Sequence, residues 1–298
     1  MKSLPVLLLG LMAAGSVAFA DGSGLLAEGA TVDVLSEGYS FTEGPAVDRD
    51  GNVFFTDQPN DRIVKYTVAD GSFADWLKPA GRSNGTFFDK EGNLLACADE
   101  KNELWSIAPD KKGTVLLGDL DGKLLNGPND LWIRPDGHLY FTDPLYARDY
   151  WTRDKASQQP GQYVYFFDMT SKKATPVATD LQQPNGLIGT PDGKTLYVAD
   201  IRAGKTYSYS INPDGTLENK TLFCEMGSDG MTIDAEGNVY LTGRGVSVFD
   251  RSGKKLTTIQ VPEPWTANVV FGGPDRHLLF ITAGKKVYGV KMRVKGAY

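Results

Sequence analysis

A single hairpin pattern occurs six times along the sequence. Its clearest copy, residues 228–243, has an apolar run, a turn around Gly237 and a second run rich in β-branched and aromatic residues, which is typical of a β-hairpin. Successive turns are about 40 to 55 residues apart, a period typical of propellers with four strands in each blade. The pattern therefore predicts an all-β fold, a six-bladed β-propeller. The other five copies span residues 43–57, 84–99, 129–143, 185–200 and 268–283.

The two ends of the repeat region predict how the ring of blades closes. After the last hairpin only one strand-like run remains, Lys286–Val294, so the sixth blade lacks a strand. The run Thr31–Leu35, ahead of the first hairpin, can supply that strand, and such closure removes the open sheet edges that favour aggregation. We therefore expect the N-terminal strand to complete the last blade. A parallel β-helix needs much shorter repeats and is disfavoured.

The first twenty residues do not follow the repeat. Lys2 precedes the apolar run Leu4–Leu11, and Ala18–Ala20 supplies the small-x-small pattern of a signal peptidase site. We expect residues 1–20 to be a signal peptide, residues 21–298 to form a single propeller domain, and the mature protein to be periplasmic or extracellular. No later apolar run is long enough to span a bilayer.

Charge and cysteine content narrow the choice of partners. Without Lys2 the 31 basic residues become 30, against 37 acidic ones, which argues against nucleic acid and anionic membrane surfaces. A monomer is the expected state, with an oligomer left open. Cys97 and Cys224 lie in strand-like runs of different repeats, so either a disulfide or two buried free thiols fits the sequence.

Every copy of the hairpin carries a carboxylate or an amide at one shared position, eight residues before the turn. Asn, Asp and Glu are depleted in strands and cost free energy when they are buried without partners. The first strand of each propeller blade lines the central channel, so these six side chains are predicted to crowd one mouth of it. A role in capping strands and turns is the alternative. The six residues are Glu43, Asn84, Asn129, Asn185, Asp229 and Asn268.

A ring of carboxylate and amide oxygens without His or Cys is the ligand set of a hard cation. Its flexible geometry favours Ca²⁺, with Mg²⁺, Mn²⁺ and Zn²⁺ as alternatives. A divalent ion would balance the charges of Glu43 and Asp229, and Asp229 is the candidate general base because a carboxylate at the metal can also orient a water. The only histidines, His138 and His277, follow hairpin turns at the opposite face, and no Gly-x-Ser-x-Gly is present, which argues against a serine mechanism.

The connection of residues 144–162 is unusually long and follows the end of a second strand, so it should lie over the same mouth. Long loops in compact domains are commonly lids or binding loops, although a surface loop without function is the alternative. Within it, Tyr146, Arg148 and Trp151 are candidate substrate-binding residues. The second strands place four further aspartates on this face, and Arg202 and Trp265 are expected near it. These aspartates are Asp57, Asp99, Asp143 and Asp200.

Five segments together resemble the motifs of the senescence marker protein, gluconolactonase and luciferin-regenerating enzyme family, over essentially the whole mature chain. The resemblance implies a six-bladed propeller with a divalent cation, usually Ca²⁺, in the channel, and lactone hydrolysis as the commonest activity. It also implies metal ligands at Glu43, Asn185 and Asp229, with Asn129 as a further ligand or a substrate contact. The five segments are Phe41–Pro45, Gly127–Asp130, Gln183–Leu187, Gly227–Met231 and Asn268–Gly273.

Two departures from the wider family limit what the resemblance implies. The animal lactonases carry an arginine where this chain has Gly127, so their sugar contacts do not transfer. The histidines of the related paraoxonases and diisopropylfluorophosphatase are not evident.

The expected function is metal-dependent hydrolysis of a sugar aldonolactone, in which Asn84, Asn129 and Asn268 bind substrate hydroxyls or complete the coordination shell. A non-enzymatic binding platform, or an arylesterase or phosphotriesterase on the same metal, are the alternatives.

Overall fold

Six antiparallel sheets, each built on one predicted hairpin, surround a central channel. The structure, a computed structural model, describes residues 24–298 and the backbone of the short strand β1 (Val17–Ala18). Apart from the 3-10 turn Gln58–Asn60, the described residues form strands and loops, and no helix in them is long and apolar enough for a bilayer span. The all-β, six-bladed propeller is therefore confirmed, whereas the predicted signal peptide lies outside the described residues except for β1.

The first three blades each have four strands, ordered from the channel outwards as in the chain. A two-stranded ribbon separates the second blade from the third. Blade 1 comprises β3 (Thr42–Val47), β4 (Val53–Asp57), β5 (Arg62–Thr67) and β6 (Ser72–Leu77). Blade 2 comprises β7 (Ser83–Phe88), β8 (Leu94–Ala98), β9 (Glu103–Ile107) and β10 (Gly113–Leu117). The ribbon is β11 (Asp119–Leu120) with β12 (Lys123–Leu124), and blade 3 comprises β13 (Leu131–Ile133), β14 (Leu139–Asp143), β15 (Tyr163–Asp168) and β16 (Lys173–Ala178).

The last blade takes its fourth strand from the other end of the chain. Strand β2 (Thr31–Glu37) pairs antiparallel with β27 (Lys286–Lys291), and β1 pairs with β2 at the outer edge. The predicted closure by the N-terminal strand is confirmed. Blade 4 comprises β17 (Pro184–Gly189), β18 (Thr195–Asp200), β19 (Lys205–Ile211) and β20 (Leu217–Cys224). Blade 5 comprises β21 (Met231–Ile233), β22 (Val239–Gly243), β23 (Gly245–Phe249) and β24 (Lys255–Ile259), and blade 6 adds β25 (Asn268–Gly272), β26 (Leu278–Ala283) and β27 (Lys286–Lys291).

The apolar core lies between neighbouring blades, because the second strands bury both faces. All five residues of β4, β8, β14 and β22 are buried. Cys97 and Cys224 are both buried, free thiols, so the sequence alternative without a disulfide applies. Both histidines lie at the end of the channel opposite the polar ring, as predicted: each is next to a hairpin turn, and the Nδ1 atoms of His138 and His277 contact the backbone of Met169 and Met292.

The sixth blade and the first are held together at the far end of the channel by Arg276. This residue occupies the turn position that is glycine in the other five copies, and it keeps the same left-handed backbone with φ of 60°. Its guanidinium donates hydrogen bonds to the carbonyl oxygens of Gly273, Asp48 and Tyr298 at 2.8, 2.7 and 2.9 Å. The strained backbone is thus compensated by bonds that close the ring of blades.

Candidate active site

The six predicted ring residues lie within two residues of the start of the inner strands, and five of them are buried at one mouth of the channel. Glu43, Asn84, Asn129, Asn185 and Asn268 are each no more than 6% exposed. Asp229 is partly exposed. Since the inner strands of adjacent blades contact one another around the axis, the repeat brings one polar side chain from each blade to the channel.

Hydrogen bonds join two neighbouring pairs of the ring. The amide Nδ2 of Asn185 donates to Oδ1 of Asp229 at 3.0 Å, and Nδ2 of Asn268 donates to Oε2 of Glu43 at 3.3 Å. The backbone N–H of Gly44 also donates to Oε2 of Glu43, at 2.6 Å. Both carboxylates are therefore oriented by donors.

The glycines that follow ring residues allow adjacent inner strands to approach closely. A Cβ at Gly44 would lie 1.8 Å from the carbonyl oxygen of Asn84, and one at Gly186 would lie 2.6 Å from that of Asp229. At Gly230 it would lie 2.0 Å from the side chain of Asn268. Any side chain there would clash, so the Glu-Gly, Asn-Gly and Asp-Gly pairs of the repeat set the diameter of the ring.

The two carboxylates repel each other and lie in a medium that disfavours charge. Burial, followed by the charge of Asp229, raises the pKa of Glu43 well above its usual range. Burial raises the pKa of Asp229 to about 6, against the hydrogen bonds from Trp265 and Asn185 and the charge of Arg148. An added cation would favour the charged form of both groups.

The oxygens of the ring fit a hard divalent cation. The buried Oδ1 atoms of Asn84 and Asn185 have no hydrogen-bond partner, although buried polar atoms are nearly always paired. Among the described residues no group of three or more His, Cys, Asp or Glu could hold a metal, so the amides must contribute to any site here. Two carboxylates with unpaired amide oxygens, and no nitrogen or sulfur ligand, match Ca²⁺ better than Zn²⁺.

Asp130 is a buried carboxylate that sequence reasoning missed. It follows Asn129, at the position that is glycine in four of the other copies, and burial raises its pKa to about 7. Its Oδ1 accepts the backbone N–H of Leu131 at 2.9 Å. The signal was present in the motif Pro-Asn-Asp, where an acid replaces the glycine of the repeat.

Three of the four aspartates that end second strands are structural. Asp57 accepts the backbone N–H groups of Ser40 and Phe41, and Asp143 accepts those of Asn126 and Gly127. Asp200 does the same for the two residues before Pro184. Each therefore holds the segment that leads into the inner strand of its own blade.

Asp99 is the exception, because Asp61 takes over its structural role. In blade 2 the backbone N–H groups of Ala80 and Arg82 bind Asp61 instead. Asp99 is thereby free to bind the long loop: its Oδ2 accepts hydrogen bonds from Arg148 Nε at 2.9 Å and from the Tyr150 hydroxyl at 2.6 Å.

The long loop between β14 and β15 reaches the ring through Tyr146. The Tyr146 hydroxyl accepts a 2.9 Å hydrogen bond from Nδ2 of Asn185, and the guanidinium of Arg148 lies 5.5 Å from the Tyr146 ring centroid. Trp151, in contrast, is buried and donates its indole N–H to the backbone oxygen of Asp99 at 2.7 Å. The structure thus places Tyr146 and Arg148 near the ring, and Trp151 beneath the loop as an anchor.

Trp265 contacts the ring directly. Its indole Nε1 donates a 2.6 Å hydrogen bond to Oδ2 of Asp229, so both carboxylate oxygens of Asp229 have donors. Arg202 lies exposed in the loop after β18 at the same end of the blades.

A second set of residues that sequence reasoning missed supports the ring from behind. Buried threonines near the ends of second strands bind the backbone of the ring segments: the Thr242 hydroxyl accepts the N–H of Gly230 at 2.8 Å, and that of Thr282 accepts the N–H of Asn268 at 3.0 Å. Repeated Thr before the last strand residue was the available signal. The four threonines are Thr56, Thr142, Thr242 and Thr282.

The geometry defines a class of protein: a six-bladed propeller with a ring of carboxylate and amide groups at one mouth of its channel and a loop over that mouth. The family model described as the SMP-30/gluconolactonase/LRE-like region matches residues 41–285. The chain belongs to this family, as the sequence motifs indicate.

Known proteins of the family resemble the chain over most of its length. A gluconolactonase of Zymomonas mobilis is 26% identical over 295 residues, covering 89% of this chain and 82% of its own, and the pentonolactonase of Haloferax volcanii is 26% identical over 251 residues, covering 80% of each. The solved structure of a gluconolactonase from Xanthomonas campestris has a TM-score of 0.83 at 26% identity, covering 93% of this chain and 94% of its own.

Proposed function

We propose that the protein is a calcium-dependent lactonase that hydrolyses a sugar aldonolactone such as glucono-1,5-lactone. The observation that carries the proposal is the ring itself, in which two carboxylates and two unpaired amide oxygens converge at a channel mouth. The gluconolactonases and the pentonolactonase among its relatives support the same substrate class. Glu43, Asn129, Asn185 and Asp229 would hold the cation, which when bound polarises a carbonyl oxygen.

Asp229 is proposed as the general base. Its two oxygens accept hydrogen bonds from Asn185 and Trp265, which fix the orientation of the carboxylate. It takes a proton from a water whose oxygen attacks the lactone carbonyl carbon. The bond from that carbon to the ring oxygen then breaks, and the ring oxygen receives the proton as a hydroxyl, which gives the aldonic acid.

The remaining residues of the mouth bind and enclose the substrate. Asn84, Asn129 and Asn268 present amide groups to substrate hydroxyls or complete the coordination shell. Tyr146 and Arg148 reach over the ring from the long loop, and the contacts of Arg148 and Tyr150 with Asp99 fix that loop in place. We assign Tyr146 and Arg148 to substrate binding.

We also propose that the protein acts outside the cytoplasm as a monomer, after removal of residues 1–20. N-terminal sequencing of the exported protein should then begin at Asp21. An intact N-terminus in the exported fraction would contradict the leader assignment.

A pH-stat assay with and without a chelator tests the function. Aldonolactones also open spontaneously in water, so the activity is the acceleration above that background. We expect chelator-sensitive hydrolysis of glucono-1,5-lactone that returns with Ca²⁺, and slower hydrolysis of homoserine lactones and paraoxon. Faster turnover of paraoxon would favour a phosphotriesterase, and the absence of chelator-sensitive activity on all of them would refute the enzyme assignment and favour a binding platform.

A further inference from the structure

Trp265 combines an exposed indole with a hydrogen bond to the candidate base. It is one of five large apolar side chains that are exposed among the described residues, with 38% of its surface accessible, and it donates its N–H to a buried-site carboxylate. A tryptophan that served only to orient Asp229 would not need an open face, since burial of an indole is favourable. Its exposed surface therefore requires another explanation.

Gly243 lies beside the indole of Trp265. Gly243 ends β22, at the position where blades 1, 3 and 4 carry the structural aspartates. A Cβ at Gly243 would lie 4.0 Å from Cη2 of Trp265, so any longer side chain would compete for the space next to the ring. Blade 5 thus has glycine instead of the repeat aspartate at the position next to the indole.

A second aromatic side chain belongs to the same chain of contacts. Tyr146, which is also partly exposed, is hydrogen-bonded to Asn185, Asn185 to Asp229, and Asp229 to Trp265, at 2.9, 3.0 and 2.6 Å. The candidate base and its amide partner therefore lie between two aromatic rings. Of the two, Trp265 contacts Asp229 directly, so a reactant held at Asp229 would lie beside its indole.

The faces of aromatic rings carry partial negative charge and attract polarised hydrogen atoms. A cyclic sugar lactone presents polarised C–H groups on the faces of its ring and hydroxyls around its edge. We propose that Trp265 is the specificity-determining residue of this site, and that its indole supports the C–H face of a six-membered sugar lactone while its N–H fixes Asp229. The inference rests on the proposed lactonase function and extends it to the shape of the substrate.

Two substitutions separate the two roles. Trp265→Phe keeps an aromatic face and removes the N–H, so kcat on glucono-1,5-lactone should fall roughly tenfold to a hundredfold, the value of a hydrogen bond to a charged group, with KM nearly unchanged. Trp265→Leu also removes the aromatic face, and KM should rise by roughly threefold to tenfold in addition.

Trp105 offers a matched control. Its Nε1 donates to Oε2 of Glu103 at the same 2.6 Å, but on blade 2 in the third strand from the channel. Trp105→Phe should leave both kcat and KM as in the wild type. The role of Trp265 in supporting the sugar ring is refuted if its two variants behave like this control, or if KM is the same for Trp265→Leu and Trp265→Phe.

Binding of a non-hydrolysable ring separates this inference from the proposed function. Calorimetry with glucono-1,5-lactam, in which N–H replaces the ring oxygen, should show binding that Trp265→Leu weakens roughly threefold to tenfold and Trp105→Phe does not change. If the wild type has no lactonase activity but still shows this pattern, the proposed function is refuted and the role of Trp265 in supporting the sugar ring is retained. If the wild type does not bind the lactam, or if Trp265→Leu binds it as tightly as the wild type, that role of Trp265 is refuted.

Discussion

Replacement of Glu43 by glutamine should stabilise the protein without Ca²⁺ and should remove most of the stabilisation that Ca²⁺ provides. The carboxylate is 3% exposed, and burial together with the charge of Asp229 raises the pKa of Glu43 well above its usual range. Near neutral pH the folded protein without metal must therefore either hold an unfavourable charge or take up a proton. Glutamine removes that cost and keeps an oxygen for the N–H of Gly44 and the amide of Asn268.

The expected magnitudes follow from these contacts. Without metal, Glu43→Gln should raise the free energy of unfolding by about 1–3 kcal/mol, the cost of a poorly compensated buried polar group. For the wild type, Ca²⁺ at one hundred times its dissociation constant should contribute about 2.7 kcal/mol, provided that only the folded state binds. In a domain of this size each kcal/mol corresponds to about 2–4 °C in Tm. Glu43→Gln should lose most of the calcium-dependent increase, because one of the two charges is gone.

Thermal unfolding followed by circular dichroism at pH 7.5, in chelator and in Ca²⁺, measures both effects. Glu236→Gln is the control, since Glu236 is exposed and its contact with Arg293 is 3.9 Å long, so its Tm should match the wild type in both buffers. A lower Tm for Glu43→Gln in chelator, or a wild-type Tm that does not respond to Ca²⁺, would refute the assignment of Glu43 to a cation site.

Three further predictions concern the base, the closure of the propeller and the pH dependence of stability. Asp229→Asn should keep the fold and lower kcat by roughly a hundredfold or more, the range of general-base catalysis, and full turnover with calcium bound would remove Asp229 from that role. In denaturant titration the wild type should be the most stable, followed by Arg276→Gly and then Arg276→Ala. Both variants lose three hydrogen bonds, but only glycine relieves the left-handed backbone, by about 1 kcal/mol. The reverse order would contradict the role of Arg276 in closing the propeller. Burial raises the pKa of Asp143 from 3.8 to about 7. Between these two values the folded state holds a proton that the unfolded state has lost, so the free energy of unfolding should fall as the pH rises through this range. Asp143→Asn, followed by denaturant titration from pH 4 to 8, should flatten this slope, and an unchanged slope would assign it to other groups.

The architecture was predictable because the repeat carries its signal in strand pairs. Alternation, turn glycines and the spacing of the turns gave the six hairpins and the strand that closes the last blade. The outer strands are less evident in the sequence, among them Ser72–Leu77, Gly245–Phe249 and Lys255–Ile259. Residues of the first and third of these strands are largely exposed or half-buried, so they carry little of the apolar pattern that marks a strand in the sequence. The run from Lys286 was predicted to reach Val294, but β27 ends at Lys291.

The polar ring was predictable for a different reason. Its six members share one register position, and a buried amide or acid in that position of every blade has no use in the core of a sheet. The contacts between blades were not predictable, because hydrogen bonds such as that from Trp265 to Asp229 join residues that have no repeat relation. The burial of Trp151 was equally hidden, since composition alone does not distinguish an aromatic side chain that faces the channel from one that anchors a loop.

The aspartates that end the second strands show how one repeat position acquires two roles. Asp57, Asp143 and Asp200 each bind the backbone that leads into their own inner strand, so in these three blades the aspartate has a structural role. In blade 2 a nearby residue, Asp61, supplies that acceptor, and only then is Asp99 available to hold the loop that carries Tyr146 and Arg148. A repeated residue becomes available for function when a neighbour takes over its structural bonds. In blade 5, Gly243 stands in place of the repeat aspartate, and there an exposed indole lies beside the candidate base.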